Sequence, residues 1–289
     1  MEIIHTIDAL RDIIKKERTN NKRIGFVATM GYLHQGHLSL VHICKQHADF
    51  QVMSIFVNKM QFNDPRDYDT YPRNYDRDFA LAKEAGVDLI FLPDDSEMYQ
   101  NRLTYIDIEM MTSFLCGSAR PGHFRGVLTV VAKLFNIVQT DVSVFGQKDI
   151  QQAVIIQKMV KDLNFPLDII VAPIIRESDG LAMSSRNVHL KGDDRTNATC
   201  MYQSLKKAEE LIQHGIIQAN TIIPAMTDII AAGKPKKIDY ISIVDYETLQ
   251  PVDSLNNKSV IAVAAFFGPT RLIDNMIVEK IGDSFTCVY

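Results

Sequence analysis

Residues 25–40 read GFVATMGYLHQGHLSL. The apolar run over 24–28 predicts a buried strand. Thr29, Met30 and Gly31 predict a turn, and the apolar periodicity after Gly36 predicts a helix reaching about residue 46. His34 and His37 fall at the start of that helix. The first N–H groups of a helix have no partner within it and receive anions. Gly31 and Gly36 let a phosphate approach the backbone, and imidazole N–H groups donate to phosphoryl oxygens. The stretch suits a nucleotide attacked at its α-phosphate beside the two histidines. A plainer reading uses the same residues: a helix cap with one buried and one solvated histidine.

Working outward, the pattern of strand, polar strand end and helix recurs. Residues 51–57 (QVMSIFV) predict a second strand, with Asn58 and Gln61 just beyond its C-terminal end. In an open α/β sheet such positions face the ligand crevice, although turn hydrogen bonding accounts for them equally well. Residues 141–145 predict another strand, followed by Gly146, Gln147, Lys148 and Asp149 and then a helix over 150–163. There Lys148 suits phosphates and Asp149 ribose hydroxyls, with Gln152 on a nearby face of the helix. The alternative has Asp149 as a helix cap and Lys148 simply exposed.

Further elements follow from periodicity and punctuation. Helices are expected over 8–18, with Asp8 able to cap, over 74–85, ending at Gly86, and over 127–138. Strands are expected over 88–92 and 167–172, and polar loop over 64–73. Residues 94–125 read as irregular; Arg120, His123 and Arg125 there form either an anion-binding lid or surface charges that fix a loop. Residues 174–189 read as a polar hinge, in which Met183, Ser184, Ser185 and Arg186 suit closure over phosphates, or local capping. Strands alternating with helices predict a Rossmann-like parallel sheet with helices on both faces and right-handed crossovers. Beyond about residue 190 the composition changes. Helices over 196–213 and 217–231, strands over 239–244 and 259–267, and a turn over 268–275 predict a smaller C-terminal α+β domain. The expected division is 1–174 and 175–289.

Composition narrows the function. The 289 residues are 46% hydrophobic, enough for a sizeable core. Net charge is −4 and no run of five basic residues occurs, which argues against a nucleic-acid surface. The start of the chain has no basic and apolar leader pattern, and no 18-residue apolar stretch occurs, so neither a signal peptide nor a membrane span is expected. Four dispersed cysteines fit a reducing, cytoplasmic setting. No GxxxxGKS or GxxxxGKT loop, no GxGxxG fingerprint and no HExxH occurs, which removes the usual warrant for a P-loop, a nicotinamide or a zinc site. No metal ligands are expected from the chain. Mg²⁺ is expected on nucleotide phosphates, which need few protein ligands to carry it.

These motifs together resemble the pantoate–β-alanine ligase family, whose TMGYLHQGH-like stretch is a variant of the HIGH signature of nucleotidyltransferases and class I aminoacyl-tRNA synthetases. The resemblance spans nearly the whole chain. It includes Ser54 to Asn58 with Gln61 and Asn63, Tyr71 to Arg73, Cys116 and Gly117 with Arg120 to Gly126, Lys133 to Asn136, Phe145 to Asp149 with Gln151 and Gln152, Met183 to Asn187, and Thr270 to Asn275. It implies ATP-dependent ligation of pantoate and β-alanine through pantoyl adenylate, and a cytoplasmic homodimer formed through the N-terminal domain. It implies that Met30, His34, His37, Gly146, Lys148, Asp149, Met183, Ser184, Ser185 and Arg186 hold ATP. Of these, His34, His37, Lys148 and Arg186 are implied to be catalytic. Gln61 and Gln152 are implied to hold pantoate, Asn58 to meet β-alanine and phosphate, and Tyr71 to line the approach. The chain departs from the family pattern at Ala28, Lys59 and Thr140, where proline is usual, and at Phe266, where arginine is usual. The first three alter backbone stiffness and leave functional groups in place.

Overall fold

A computed structural model describes residues 1–63 and 65–289. The first half of the chain runs β1 (Glu2–Ile4), α1 (Ile7–Thr19), β2 (Ile24–Thr29), α2 (Gln35–Cys44), β3 (Phe50–Ile55), α3 (Pro65–Asp69), α4 (Tyr75–Ala85), β4 (Leu89–Phe91) and α5 (Asp95–Tyr99). It continues through α6 (Leu115–Ala119), α7 (His123–Val138), β5 (Val142–Gly146), α8 (Ile150–Asp162) and β6 (Asp168–Ala172). The remainder is α9 (Asp193–Asn197), α10 (Cys200–Gln213), α11 (Ala219–Ala232), β7 (Lys237–Asp245), β8 (Lys258–Phe267), β9 (Thr270–Ile281) and β10 (Ser284–Val288). Backbone proximity divides the chain into two units. One holds Met1–Met110, Arg120–Gly146 and Ile155–Ala172; the other holds Met111–Ala119, Gln147–Val154 and Pro173–Tyr289. They are not the two continuous stretches 1–174 and 175–289, because two short segments of the first half group with the C-terminal residues.

The first unit is the expected Rossmann-like sheet. Its six strands lie in the order β1-β4-β3-β2-β5-β6, and every pairing is parallel. The order reverses between β2 and β5, and in such sheets ligands bind outside the carboxyl ends of the strands at that switch. Val27 and Val144 face one side with Leu38, Val41 and Cys44 of α2 and Ala82 of α4. Their sequence neighbours Phe26 and Phe145 face the other side, as strand alternation requires, and both meet Phe135 of α7 edge to face. Helices therefore cover both faces.

Local details differ from the sequence expectations. α1 is capped by Thr6, whose Oγ1 accepts from Ala9 N; Asp8 instead adds charge within the first turn. Residues 65–69 of the expected loop are helical, with proline at the first position where its missing N–H costs nothing; Asp64 lies outside the described residues. The stretch 94–125 contains α5, α6 and the first turn of α7, which begins at His123 rather than residue 127.

The second unit has a four-stranded antiparallel sheet in the order β10-β9-β8-β7. Its core joins Leu205 and Ala208 of α10, Ile222 and Met226 of α11, and Ile261, Val263, Met276 and Val278 of the sheet. The expected turn over 268–275 shrinks to Gly268 and Pro269, because Phe267 pairs with Thr270 and β9 starts at once. All four cysteines are free. Burial pushes the Cys44 thiol up to about 12 and that of Cys200 to about 11. Among the described residues no helix is long and apolar enough to cross a membrane.

Candidate active site

In the first unit β2 delivers Met30 and the turn after it to the N-terminus of α2. Gly31 adopts φ +81°, a left-handed conformation that glycine accepts without strain. Asp78 of α4, fully buried, accepts from Tyr32 N and Leu33 N, both at 2.7 Å. Arg77 donates to Leu33 O at 2.8 Å. Two neighbouring residues of α4 thus clasp the turn that leads into His34. Neither was singled out from the sequence; an Arg-Asp pair in a polar helix carries no local mark of a partner some forty-five residues away.

His34 is the N-cap of α2, and its Nδ1 accepts from Gly36 N at 3.1 Å. The His37 Nδ1 accepts in return from His34 N at 3.3 Å. The rings lie 4.0 Å apart between centroids. This is a capping box built from two imidazoles in place of the usual hydroxyl and carboxylate. A ring nitrogen that accepts a backbone N–H cannot carry a proton, so the hydrogen-bond network assigns the proton of each neutral ring to Nε2. The cap of the plainer reading is present, but both histidines are half-buried in place of one buried and one solvated.

Asn58 caps the short 3-10 turn Lys59–Gln61 after β3, and Gln61 is its last residue. Asn58 is 1% exposed. Its amide donates to Gln61 Oε1 at 2.9 Å and to Gly126 O at 3.1 Å, while its Oδ1 accepts from Tyr99 OH at 2.8 Å. Burial raises the Tyr99 hydroxyl well above its ordinary range, which keeps it a donor. Gln61 Nε2 in turn reaches Met30 Sδ at 3.3 Å, joining this turn to the one after β2. α7 seats here because Gly126 has no side chain: a Cβ would come within 2.5 Å of Met60 O. His123 Nδ1 donates to Gln61 O at 2.7 Å, and Arg120 approaches both His123 Nε2, at 3.1 Å, and Gln61 O, at 3.3 Å. Arg125 instead pairs with Asp107 at the surface. The three basic residues left ambiguous by the sequence therefore separate: two hold Gln61 and one fixes a loop. Tyr71 is buried, with its ring 5.8 Å from that of Phe62.

In the second unit the 3-10 turn Gln147–Asp149 leads directly into α8. Lys148 is largely buried, and its Nζ lies 3.7 Å from the exposed Asp149 carboxylate. Gln151 is buried, accepting from Gly117 N at 3.3 Å and donating to Met111 O and Phe114 O; Gln152 beside it is half-buried. Met183, Ser184, Ser185 and Arg186 are all half-buried. Ser184 caps the short turn Ser185–His189, with Oγ accepting from Arg186 N at 3.2 Å. The preceding Arg176 forms a bidentate pair with Asp274 of β9. Gly146 ends β5, in the first unit. His34, His37, Met30, Asn58, Gln61 and Tyr71 thus belong to one unit, and Lys148, Asp149, Gln152 and Met183 to Arg186 belong to the other.

Of the departures from the family pattern, Thr140 is buried with its hydroxyl within 3.0 Å of Ile24 O, so it secures β2 by a hydrogen bond. Lys59 lies over the Tyr68 ring. Phe266 pairs across the hairpin with Arg271, which itself holds Asp239 at 2.8 Å.

Known proteins resemble the chain along nearly its whole length. Residues 2–277 match the family model described as pantoate-β-alanine ligase. A pantothenate synthetase of Thermoanaerobacter sp. (strain X514) is 51% identical over 278 residues, covering 96% of this chain and 98% of that protein. The crystal structure of pantothenate synthetase from Thermus thermophilus superposes with a TM-score of 0.90 at 42% identity, covering 95% of this chain and 98% of that one. A pantoate-β-alanine ligase from Francisella tularensis, complexed with β-γ ATP and β-alanine, superposes at 0.78 with 34% identity, over 95% and 97% of the two chains. The parallel six-stranded unit, the histidine cap after β2 and similarity along nearly the whole chain lead to one conclusion: the chain belongs to the pantoate–β-alanine ligase family.

Proposed function

We propose that the chain condenses pantoate with β-alanine in two half-reactions on ATP. In the first, a pantoate carboxylate oxygen attacks the α-phosphorus. The new O–P bond forms as the bond to the β-phosphate oxygen breaks, and pyrophosphate leaves with that electron pair. In the second, the β-alanine amine attacks the acyl carbon of pantoyl adenylate. A C–N bond forms, the acyl C–O bond breaks, AMP leaves, and the surplus amine proton passes to the leaving phosphate or to water.

A carboxylate is already ionised near neutral pH, so the first step needs no general base. It needs in-line positioning and cancelled charge on the phosphoryl oxygens. The observation that carries this reading is the histidine cap. By committing Nδ1 of His34 and His37 to backbone N–H groups, it makes Nε2–H the donor of both rings. We assign those donors, with Lys148 and Arg186, to the phosphates during adenylation. Ser184 and Ser185 add hydroxyls, Met30, Gly146 and Met183 add backbone contacts, and Asp149 takes the ribose. Gln61 and Gln152 hold pantoate, Tyr71 lines its approach, and Asn58 orients the Gln61 amide and is assigned to β-alanine. Mg²⁺ enters as part of the nucleotide substrate. Mg²⁺ carried on phosphates needs few protein ligands. We place the enzyme in the cytoplasm.

Exchange of labelled pyrophosphate into ATP tests the order of steps. It is expected with pantoate alone, before β-alanine is added. Exchange that requires β-alanine would rule out a free-standing adenylation step.

A further inference from the structure

The stretch TRLIDN over 270–275 has no part in the chemistry assigned so far. Within the second unit, Asp274 and Asn275 lie side by side on β9 and are 3% and 1% exposed. A carboxylate and an amide buried this deeply in a strand persist only when they are fully engaged. Their engagements run to two separate segments. Asn275 Nδ2 donates to Gln147 O at 2.9 Å and to Lys148 O at 3.0 Å, holding the backbone of the turn that presents Lys148. Gln147 Nε2 returns a donor to Asn275 Oδ1 at 3.4 Å. Asp274 takes the Arg176 guanidinium through two hydrogen bonds, at 2.6 and 3.0 Å. Arg176 also donates to Gly180 O at 3.0 Å and packs over the Tyr202 ring. It bridges to Ala182, and Ile175 O accepts from Met183 N at 2.9 Å. The small hairpin so anchored hands the chain directly to Met183, Ser184, Ser185 and Arg186.

We infer that Asp274 and Asn275 are positioning residues that hold the Lys148 turn and the Met183 to Arg186 segment at a fixed separation. Neighbouring side chains of a strand point to opposite faces, so two consecutive residues reach two different segments. The strand between them is the rigid element, and holding donors in place before substrate arrives removes an entropic cost from the reaction. The inference rests on the proposed phosphate-binding roles of Lys148 and Arg186.

Pantoate-dependent pyrophosphate exchange with ATP and pantoate varied in turn tests it. Asn275→Asp keeps the shape but cannot donate to the two carbonyls. It is expected to raise the KM for ATP about tenfold, the scale of losing a buried hydrogen-bond pair, while the KM for pantoate stays within about twofold. In the Lys148→Ala background the same change should cost under about twofold more, because it acts through Lys148. Arg176→Lys keeps the charge but loses the fork. It tests the other arm in the same way against Arg186→Ala, and serves alone if Asn275→Asp does not fold. Equal rises in both KM values, or losses that multiply independently in the double variants, would overturn the positioning role. If Lys148→Ala and Arg186→Ala by themselves leave the ATP KM unchanged, the phosphate assignment falls and the inference with it. If they raise it and the folded clamp variants do not, only the inference falls.

Discussion

At the scale of single residues, His34 does two jobs through two atoms. Nδ1 caps α2, and Nε2–H is the proposed phosphate donor. Asparagine is among the best N-caps, so His34→Asn separates the jobs. The variant is expected to melt within about 3 °C of the parent, the shift that roughly 1 kcal/mol causes in a chain of this size. Pyrophosphate release with pantoate and ATP should nevertheless fall by about 10²-fold or more, as on losing one transition-state donor. Unchanged release would remove His34 from the chemistry. Gln152 offers a complementary test at the acid. A neutral amide can donate to a carboxylate and accept from a hydroxyl, without binding the ground state so tightly that attack on phosphorus is slowed. Gln152→Ala should lower kcat/KM for pantoate by about 10–10³-fold and move the ATP KM far less. Equal rises in both would make Gln152 a nucleotide contact or a structural residue.

At the scale of elements, the site depends on turns held from outside themselves. The turn between β2 and α2 has its backbone N–H groups satisfied by Asp78 of α4, and the 3-10 turn after β3 is held by His123, Arg120 and Asn58. Asp78→Ala leaves the N–H groups of Tyr32 and Leu33 without their acceptor. An unsatisfied buried donor costs about 1–3 kcal/mol, so chemical denaturation should show a loss of about 3 kcal/mol. Asp78→Asn, with one acceptor oxygen left, should lose about half as much. A loss below about 1 kcal/mol for alanine would mean that water reaches the turn and the clasp is unimportant.

At the scale of the molecule, the six-stranded parallel sheet leaves β1 and β6 as its edges. We propose a homodimer formed through the N-terminal part of the chain, the closed two-fold arrangement being the commonest among oligomers. Sedimentation at micromolar concentration is expected to return twice the chain mass, and a single-chain mass would refute it.

Much of this architecture is legible in the sequence. Short apolar runs spaced by amphipathic helices carry the parallel α/β reading by themselves, because burial on both faces demands continuous apolar strands. The polar residues just past those runs, from Met30 to His37, at Asn58 and Gln61, and from Gly146 to Gln152, are candidates for the same reason: strand ends open onto the crevice. Local pattern failed where a distant partner supplied the stability. β9 passes through Asp274 and Asn275, which disfavour strands by propensity, and Arg176 and the Gln147 turn help make their burial tolerable. Periodicity and side-chain chemistry carry the class of fold, the seven strands from β2 to β8 and the polar residues at the strand ends, since each is a local property of the chain, while β9 begins within residues expected to form a turn. The tertiary structure alone decided that Asp78 holds the histidine turn, that Arg120 and His123 serve Gln61 while Arg125 does not, and that 111–119 and 147–154 group with the C-terminal residues. Each of these is a hydrogen bond or a packing contact between residues far apart in sequence, and local periodicity carries no record of such a partner.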